Sequence, residues 1–310
     1  MPEVIVLGDV TIDLVARLES YPLAGGDVQP LETIARLGGT SLTTATMLAR
    51  LGVEAALVAR VGSDIFGDYI LAQMEQEGLS NRWMERDPSV LTGLVYVAVT
   101  PGGQRTLFGG AGANRNLTAS ALATDEITRS HWLHVTSYNV LDEHSLDATL
   151  RTMRVAHGAG VPVSLDIGLA PVRLAPESLA SVADGADVLF PSEDSEEVSQ
   201  HGRTVLRKRG AAGCTILSDN APVCVPAFRV PVVDTTGAGD AFDAGYIAGQ
   251  VRGLDLRAST LLANACGAAA VTVLGAGNAL PGREVVLRLL RDLVPDGWQA
   301  EARAIVQTFS

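Results

Sequence analysis

Short apolar runs alternate with helix-length amphipathic stretches along most of this chain, and that alternation constrains its fold more than any other feature. Residues 4–8 (VIVLG) read as a strand, and 40–51 (TSLTTATMLARL) as a helix that follows a Gly-Gly pair and stops at Gly52. Residues 55–61 read as strand and 64–77 as a helix ending before Gly78. The pattern returns as strand 131–136 with helix 143–157, strand 161–166 with helix 176–183, and strand 187–190 with a helical stretch over 193–208. Helices near 238–252, 256–273 and 283–293 close the chain. Strands that are apolar throughout are buried on both faces, which is the mark of a parallel sheet covered by helices on each side. The expected fold class is therefore α/β with a mainly parallel sheet.

Two stretches break the alternation. Residues 10–37 hold Pro22, Gly25-Gly26 and Pro30 between short extended pieces, and 92–109 read as a hairpin turning at Pro101-Gly102-Gly103. Together they are expected to form a small β lid inserted in one domain, 1–310, because no linker, repeat or low-complexity tract divides the chain. Hydrophobic residues make up 47% and charged ones 19%, enough apolar content for a large core at 310 residues.

A net charge of −12 excludes a general nucleic-acid or anionic-membrane surface, yet leaves a nucleotide ligand open, since backbone N–H groups and bound cations hold phosphates. No G-x-x-x-x-G-K-[ST] segment occurs, so a P-loop is excluded. The single lysine, Lys208, reads as compositional habit in an arginine-rich chain. Cys214, Cys224 and Cys266 are far apart and are expected as free thiols. The apolar run 258–274 is interrupted by Asn264 and reads as a buried helix, and MPEVIVLGDVTID carries no basic leader, so the cytoplasm is the expected compartment.

The chemistry concentrates in residues 232–249, VVDTTGAGDAFDAGYIAG. Glycines just before a helix leave N–H groups free and admit a ligand to the backbone, where the helix dipole favours an anion. Asp240, in the first helical turn, would stand beside that anion site and could take a proton from a hydroxyl. From these residues alone a second reading stays open, in which G-A-G-D is a tight turn with an acidic cap. Asp13 alone likewise reads as a solvated loop acid, Arg105 as an edge-strand charge, and Trp132 and His134 as core.

The stretch D-T-x-G-A-G-D-A-F-x-A-G, residues 234–245, resembles the signature of the ribokinase-like (phosphofructokinase-B) family of carbohydrate kinases. GDVTID (8–13), GGTSLTTATMLARLG (38–52), RVGSDIFG (60–67), GGAGANRNL (109–117), DVLFPSE (187–193), GAAG (210–213) and residues 264–277 follow in the family's order. The resemblance implies a three-layer ribokinase-like core with a β-sheet lid, and ATP-dependent phosphorylation of a hydroxyl on a small sugar-like substrate. It assigns Asp240 as base and the amides of Gly237, Ala238 and Gly239 as the anion hole. It places Asp13, Gly38, Gly39 and Thr43 at the substrate, with Arg105 and Asn114 as further contacts. Ser192, Gly210, Gly213 and Asn264 fall to the nucleotide. Mg²⁺ would come with ATP, and a monovalent cation, K⁺, would sit by Asp234, Thr236 and Gly275. A homodimer, where one forms, is expected through the lid.

Two positions depart from the family pattern. Thr43 stands where an asparagine usually meets the sugar, and Ser192 and Ser195 replace both key residues of an N-x-x-E segment linked to Mg²⁺, leaving Glu193, Asp194 or Glu196 to compensate. Sugar is preferred to nucleoside as acceptor, since residues 11–40 hold one aromatic, Tyr21, although Tyr96, Phe108 and Tyr138 could supply a face for a base. A non-catalytic kinase relative is the third reading.

Overall fold

The computed structural model describes residues 1–101, 105–192, 195, 203–217 and 221–310. Among these, eight strands form the central sheet, in spatial order Val223–Val225, Cys214–Leu217, Thr204–Lys208, Val188–Pro191, Val163–Ile167, Trp132–Thr136, Val4–Leu7 and Ala55–Val58. Pairing is parallel from Thr204–Lys208 across to Ala55–Val58, and antiparallel in the last two strands at the other edge. Successive residues of Val4–Leu7 feed opposite layers. Val4 and Val6 join Leu42, Phe190, Phe242 and Leu261 on one side, while Ile5 and Leu7 join Leu133, Val135 and Leu189 on the other. That two-sided burial is why these strands are apolar at every position.

The strand Val4–Leu7 lies between Ala55–Val58 and Trp132–Thr136, so chain connections leave it in opposite directions. In an open parallel sheet such a switch point leaves a crevice at the carboxyl ends of the strands. Asp9 and Tyr138 follow directly on those two ends.

A second sheet of four strands runs Glu32–Gly38, Thr11–Arg17, Gly93–Val99, Arg105–Gly110, with the first and last pairs antiparallel and the middle pair parallel. The two interruptions in the sequence thus fold together, although residues 102–104 of the expected turn lie outside the described residues.

Three expectations need correction. Residues 204–208 form a strand, not the end of a helix; Val205 and Leu206 are buried on opposite faces and pair with Leu217 and Ile216. The remainder of that predicted helix, apart from Ser195 and Arg203, lies outside the described residues. The stretch 55–61 divides into Ala55–Val58 and Arg60–Gly62, the latter leaving the main sheet to pair with Glu85–Asp87. The helix predicted over 256–273 ends at Ala270, and a further helix, Gln299–Phe309, packs at the C-terminus. All three cysteines are free thiols, and no described helix is long and apolar enough to cross a membrane.

Candidate active site

Gly237 caps the helix Ala238–Val251 in the left-handed region, φ 75°, and its carbonyl accepts the Ala241 N–H at 2.9 Å. At this helix start the Ala238 N–H makes a long bond to the Thr235 carbonyl (3.4 Å), while the Gly239 and Asp240 amides have no intrahelical acceptor and are open to an anion. The approach to this turn is fixed by Asp234, which is fully buried. Its Oδ1 accepts the Thr236 N–H (2.9 Å) and hydroxyl (2.8 Å), and its Oδ2 accepts the Gly275 N–H (2.9 Å). One carboxylate therefore ties the glycine loop to the loop carrying Gly275.

Asp240 stands half-buried in that first turn, and its backbone carbonyl accepts the Thr44 hydroxyl at 3.3 Å. Burial, followed by the charges of Asp166 and Asp9, holds its carboxyl well above the ordinary range, against the opposing charges of Lys208 and Arg105. A carboxylate so placed is a better proton acceptor than a free one.

On the other side of the crevice, Asp13 is buried and accepts the Thr11 hydroxyl at 2.7 Å. Burial pushes its pKa up to about 6. A Cβ on Gly38 would collide with the Asp13 carboxylate, so glycine there is a consequence of Asp13. Gly39 has φ 96° and no side chain to cap the helix Thr40–Arg50. Asp9 does so instead, accepting the Thr40 N–H (3.3 Å), the Thr40 hydroxyl (2.7 Å) and the Ser41 N–H (3.3 Å). Thr43 spends its hydroxyl on the Gly39 carbonyl at 2.8 Å and turns its methyl toward Gly237.

Arg105, on the outermost strand of the small sheet, donates to the Thr235 hydroxyl at 3.2 Å, and its charge is felt at Asp13, Tyr138 and Asp240. Arg36, opposite Asp13 in register, packs along Gly275 with a buried Nε that has no acceptor among the described residues. Tyr96 and Phe108 pair with each other on the face away from Asp13 and are exposed, so neither forms an aromatic wall for the crevice. Tyr138 does reach it, packed on Gly168, with its hydroxyl pKa pushed up to about 12 by burial and by Asp9 and Asp166.

Of the residues expected at a nucleotide, Ser192 follows the strand Val188–Pro191, Gly210 and Gly213 lie between Thr204–Lys208 and Cys214–Leu217, and Asn264 is on the helix Leu256–Ala270. Ser192 bridges to Lys208, and its hydroxyl lies 3.4 Å from that of Ser195; Glu193, Asp194 and Glu196 lie outside the described residues. Gly210, φ 50°, faces open space, whereas a Cβ on Gly213, φ 84°, would collide with the Val225 carbonyl. Two asparagines are committed to backbone in this structure. Asn114 donates to the carbonyls of Val10 (2.8 Å) and Ala111 (2.9 Å) and accepts from Val10 N–H, latching the segment around Val10. Asn264 gives its amide protons to Val225 and Pro226, both at 3.0 Å. Neither has an N–H left for a ligand.

Sequence reasoning passed over Asp9, Asp166, Asp243 and Lys208. Lys208 Nζ donates to Asp166 Oδ1 (2.6 Å) and Asp243 Oδ1 (3.1 Å), and it lies 3.3 Å from where a Cβ on Gly239 would stand. Burial works against this ammonium, but the two carboxylates outweigh it and raise its pKa. His134 and Trp132 are core residues, both bonded to the Ser164 hydroxyl.

The chain is 32% identical, over 92% of its length and 81% of the relative's, to a protein of Arabidopsis thaliana described as a probable chloroplastic fructokinase-6. It is 29% identical to the ATP-dependent ribose-1-phosphate kinase of Halopiger xanaduensis, over 94% and 99% of the two chains. Its fold matches an E. coli ribokinase-fold protein solved with ATP and Mg²⁺, at TM-score 0.80 and 23% identity, covering 94% of this chain and 99% of that one. The model of the pfkB family carbohydrate kinases matches residues 1–283, and the chain belongs to that family.

Proposed function

We propose that this carbohydrate kinase transfers the γ-phosphoryl group of ATP to a hydroxyl of a sugar or sugar-like acceptor, with Asp240 as general base. The observation that carries the reading is the pairing of Asp240 with the glycine-built helix start at Gly237–Gly239, one offering a proton acceptor and the other the positive end of a helix. The acceptor oxygen would bond to the γ-phosphorus as its proton passes to the Asp240 carboxylate. The bond to the bridging β–γ oxygen breaks, and ADP departs with that electron pair. Little covalent work is left to the protein beyond positioning and charge stabilisation.

Asp13 and the Gly38-Gly39 backbone would hold the acceptor, and the small sheet would close over it as a lid. Tyr96 and Phe108 face away from Asp13, which favours a sugar over a nucleoside. That outer face is also where a homodimer would form. Gly210, open to approach, would border ATP.

Among the described residues no three acidic, histidine or cysteine side chains cluster to hold a metal, and Asp166 and Asp243 are bound to Lys208. Mg²⁺ would therefore be held mainly by the triphosphate and water, neutralising its charge. Asp234 suits a monovalent cation better. It is fully buried, its three partners are neutral donors, and it makes no ion pair among the described residues. With Thr236 and Gly275 it would hold K⁺, which fixes the loop shape.

The test is a coupled assay over pentoses, hexoses, sugar acids, sugar phosphates and nucleosides, run beside Asp240→Asn. One acceptor should sustain ADP release, and the variant should lose roughly 10²–10⁴ in kcat. Wild-type turnover in Asp240→Asn refutes the base assignment.

A further inference from the structure

The chain has 23 basic residues besides histidine, and only one of them is lysine. That lysine, 15% exposed, is the largely buried cation beneath the candidate active site. Its Nζ sits between Asp166 Oδ1 at 2.6 Å and the Asp243 oxygens at 3.1 and 3.3 Å, under the backbone of Gly239 and 5.9 Å from the Phe190 ring centre. An ammonium is a compact point charge, whereas a guanidinium is a broad planar fork. In that space the fork would press on Gly239, whose amide belongs to the anion hole. Lysine stands here, where all 22 other lysine-or-arginine positions hold arginine.

Asp243 follows Asp240 by three residues on the same helix, so both carboxylates lie on one face. Lys208 thus anchors the turn that carries Asp240. It also supplies charge. The charges felt at Asp240 are those of Asp166 from Val163–Ile167, Asp9 after Val4–Leu7, Lys208, and Arg105 from the small sheet, and Asp240 is in turn felt at Tyr138 after Trp132–Thr136 and at Asp243 on its own helix. Of the two cations, Arg105 is exposed and tied to Thr235, which leaves Lys208 as the buried counter-charge to several carboxylates.

We propose that Lys208 is a positioning residue for phosphoryl transfer: bound to Asp166 and Asp243, it fixes the first turn of Ala238–Val251 and sets the charge balance that keeps Asp240 able to accept a proton near neutral pH. The inference rests on the reading of Asp240 as base. Without the ammonium, the surrounding carboxylates repel a charge on Asp240, which then stays protonated to higher pH. Without Asp243's charge, the ammonium acts on Asp240 more fully and the opposite follows.

The experiment measures kcat against pH, at saturating ATP and acceptor, for wild type, Lys208→Met, Lys208→Arg, Asp243→Asn and the Lys208→Met/Asp243→Asn pair. In Lys208→Met the acid limb should move up by about one pH unit or more. Turnover on the acid side of the limb then falls about tenfold or more and recovers at alkaline pH. In Asp243→Asn the limb should move down. Lys208→Arg keeps the charge, so its limb stays in place while kcat drops at every pH. The double variant removes one charge of each sign, is the safest to fold, and should titrate near wild type. If the limb stays in place in Asp243→Asn, and in the single Lys208→Met variant where it folds, with kcat lowered by a constant factor, Lys208 is only structural and the proposal falls. If Asp240→Asn is inactive while the limbs stay put, this inference alone fails; if Asp240→Asn is fully active, the base reading fails and carries this one with it.

Discussion

Replacing Gly237 by alanine probes the start of the proposed anion hole with a single methyl. Gly237 has φ 75°, and an added Cβ would stand 2.7 Å from Ala276 Cβ and 3.1 Å from Thr43 Cγ2. Two costs follow. Holding alanine in the left-handed region takes about 1–2 kcal/mol. Overpacking against Ala276 takes about 1–3 kcal/mol more, since carbon atoms settle nearer 3.5–4.0 Å and one side must move by roughly 1 Å. Ala276 has little room to yield, because it sits between Gly275 and Gly277, both at positive φ, and the Gly275 N–H is held by Asp234. The total, about 2–5 kcal/mol, corresponds to roughly 4–10 °C in Tm at this chain length. A displacement of that size in the anion hole should cost about 10²-fold in kcat. Gly253→Ala is the internal control. Gly253 has φ 76° with nothing near its Cβ position, so it should lose only the backbone part and keep full turnover. Thermal unfolding and steady-state kinetics on the two variants, and on Gly237→Ala/Ala276→Gly, separate the terms. The double variant should return to the stability of Gly253→Ala. Equal melting temperatures for the two single variants, with Gly237→Ala above half of wild-type kcat, would refute the reasoning.

Two other outcomes can be read in simple experiments. Burial lowers His134 to a pKa of about 4, below its ordinary 6.5, so the unfolded chain binds more protons between those values. The stability it contributes is complete above about pH 6.5 and is lost as pH falls toward 4, amounting to about 3 kcal/mol at 1.36 kcal/mol per unit. Urea unfolding should therefore show wild type losing more stability than His134→Gln across that window, and parallel pH profiles would contradict this. For the Asp234 site, K⁺ in place of tetramethylammonium at constant ionic strength should raise kcat, and Asp234→Ala should abolish the difference. Equal rates in both salts with a folded, active Asp234→Ala would assign Asp234 to capping the loop alone.

The strand–helix alternation was legible because its signals are local. Glycines at 52 and 78, both at positive φ, end the helices Thr40–Arg50 and Ile65–Gln76 as the sequence predicts. Residues 204–208 defeated that reading because their state is set from outside. Leucine, arginine and lysine favour a helix locally, yet the segment is held between Val188–Pro191 and Cys214–Leu217, and pairing overrides propensity. The helix Gln299–Phe309 carried a thin signal, with Ala302, Ile305 and Phe309 buried on one stripe, Val306 packed beside them, and the remaining positions polar or alanine.

The candidate site divides along the same line. Glycines at 38, 39 and 237 stand out in sequence because each answers a backbone demand, a positive φ or a neighbour that leaves no room for Cβ. Side-chain roles are not local in that way. Asn114 and Asn264 have the residue type of ligand contacts, but the fold gives both amide N–H groups to main-chain carbonyls, and no spacing rule announces it. The buried charge cluster is assembled from positions 42 and 35 residues apart, so no motif window contains it. Its one trace in the sequence is compositional. A chain that uses arginine at 22 positions and lysine at one has an exception to explain, and an exception of that kind points to a place where charge is needed but the guanidinium fork does not fit. Residue scarcity of this sort is independent of motif spacing, and here it leads to the position the spacing could not reach.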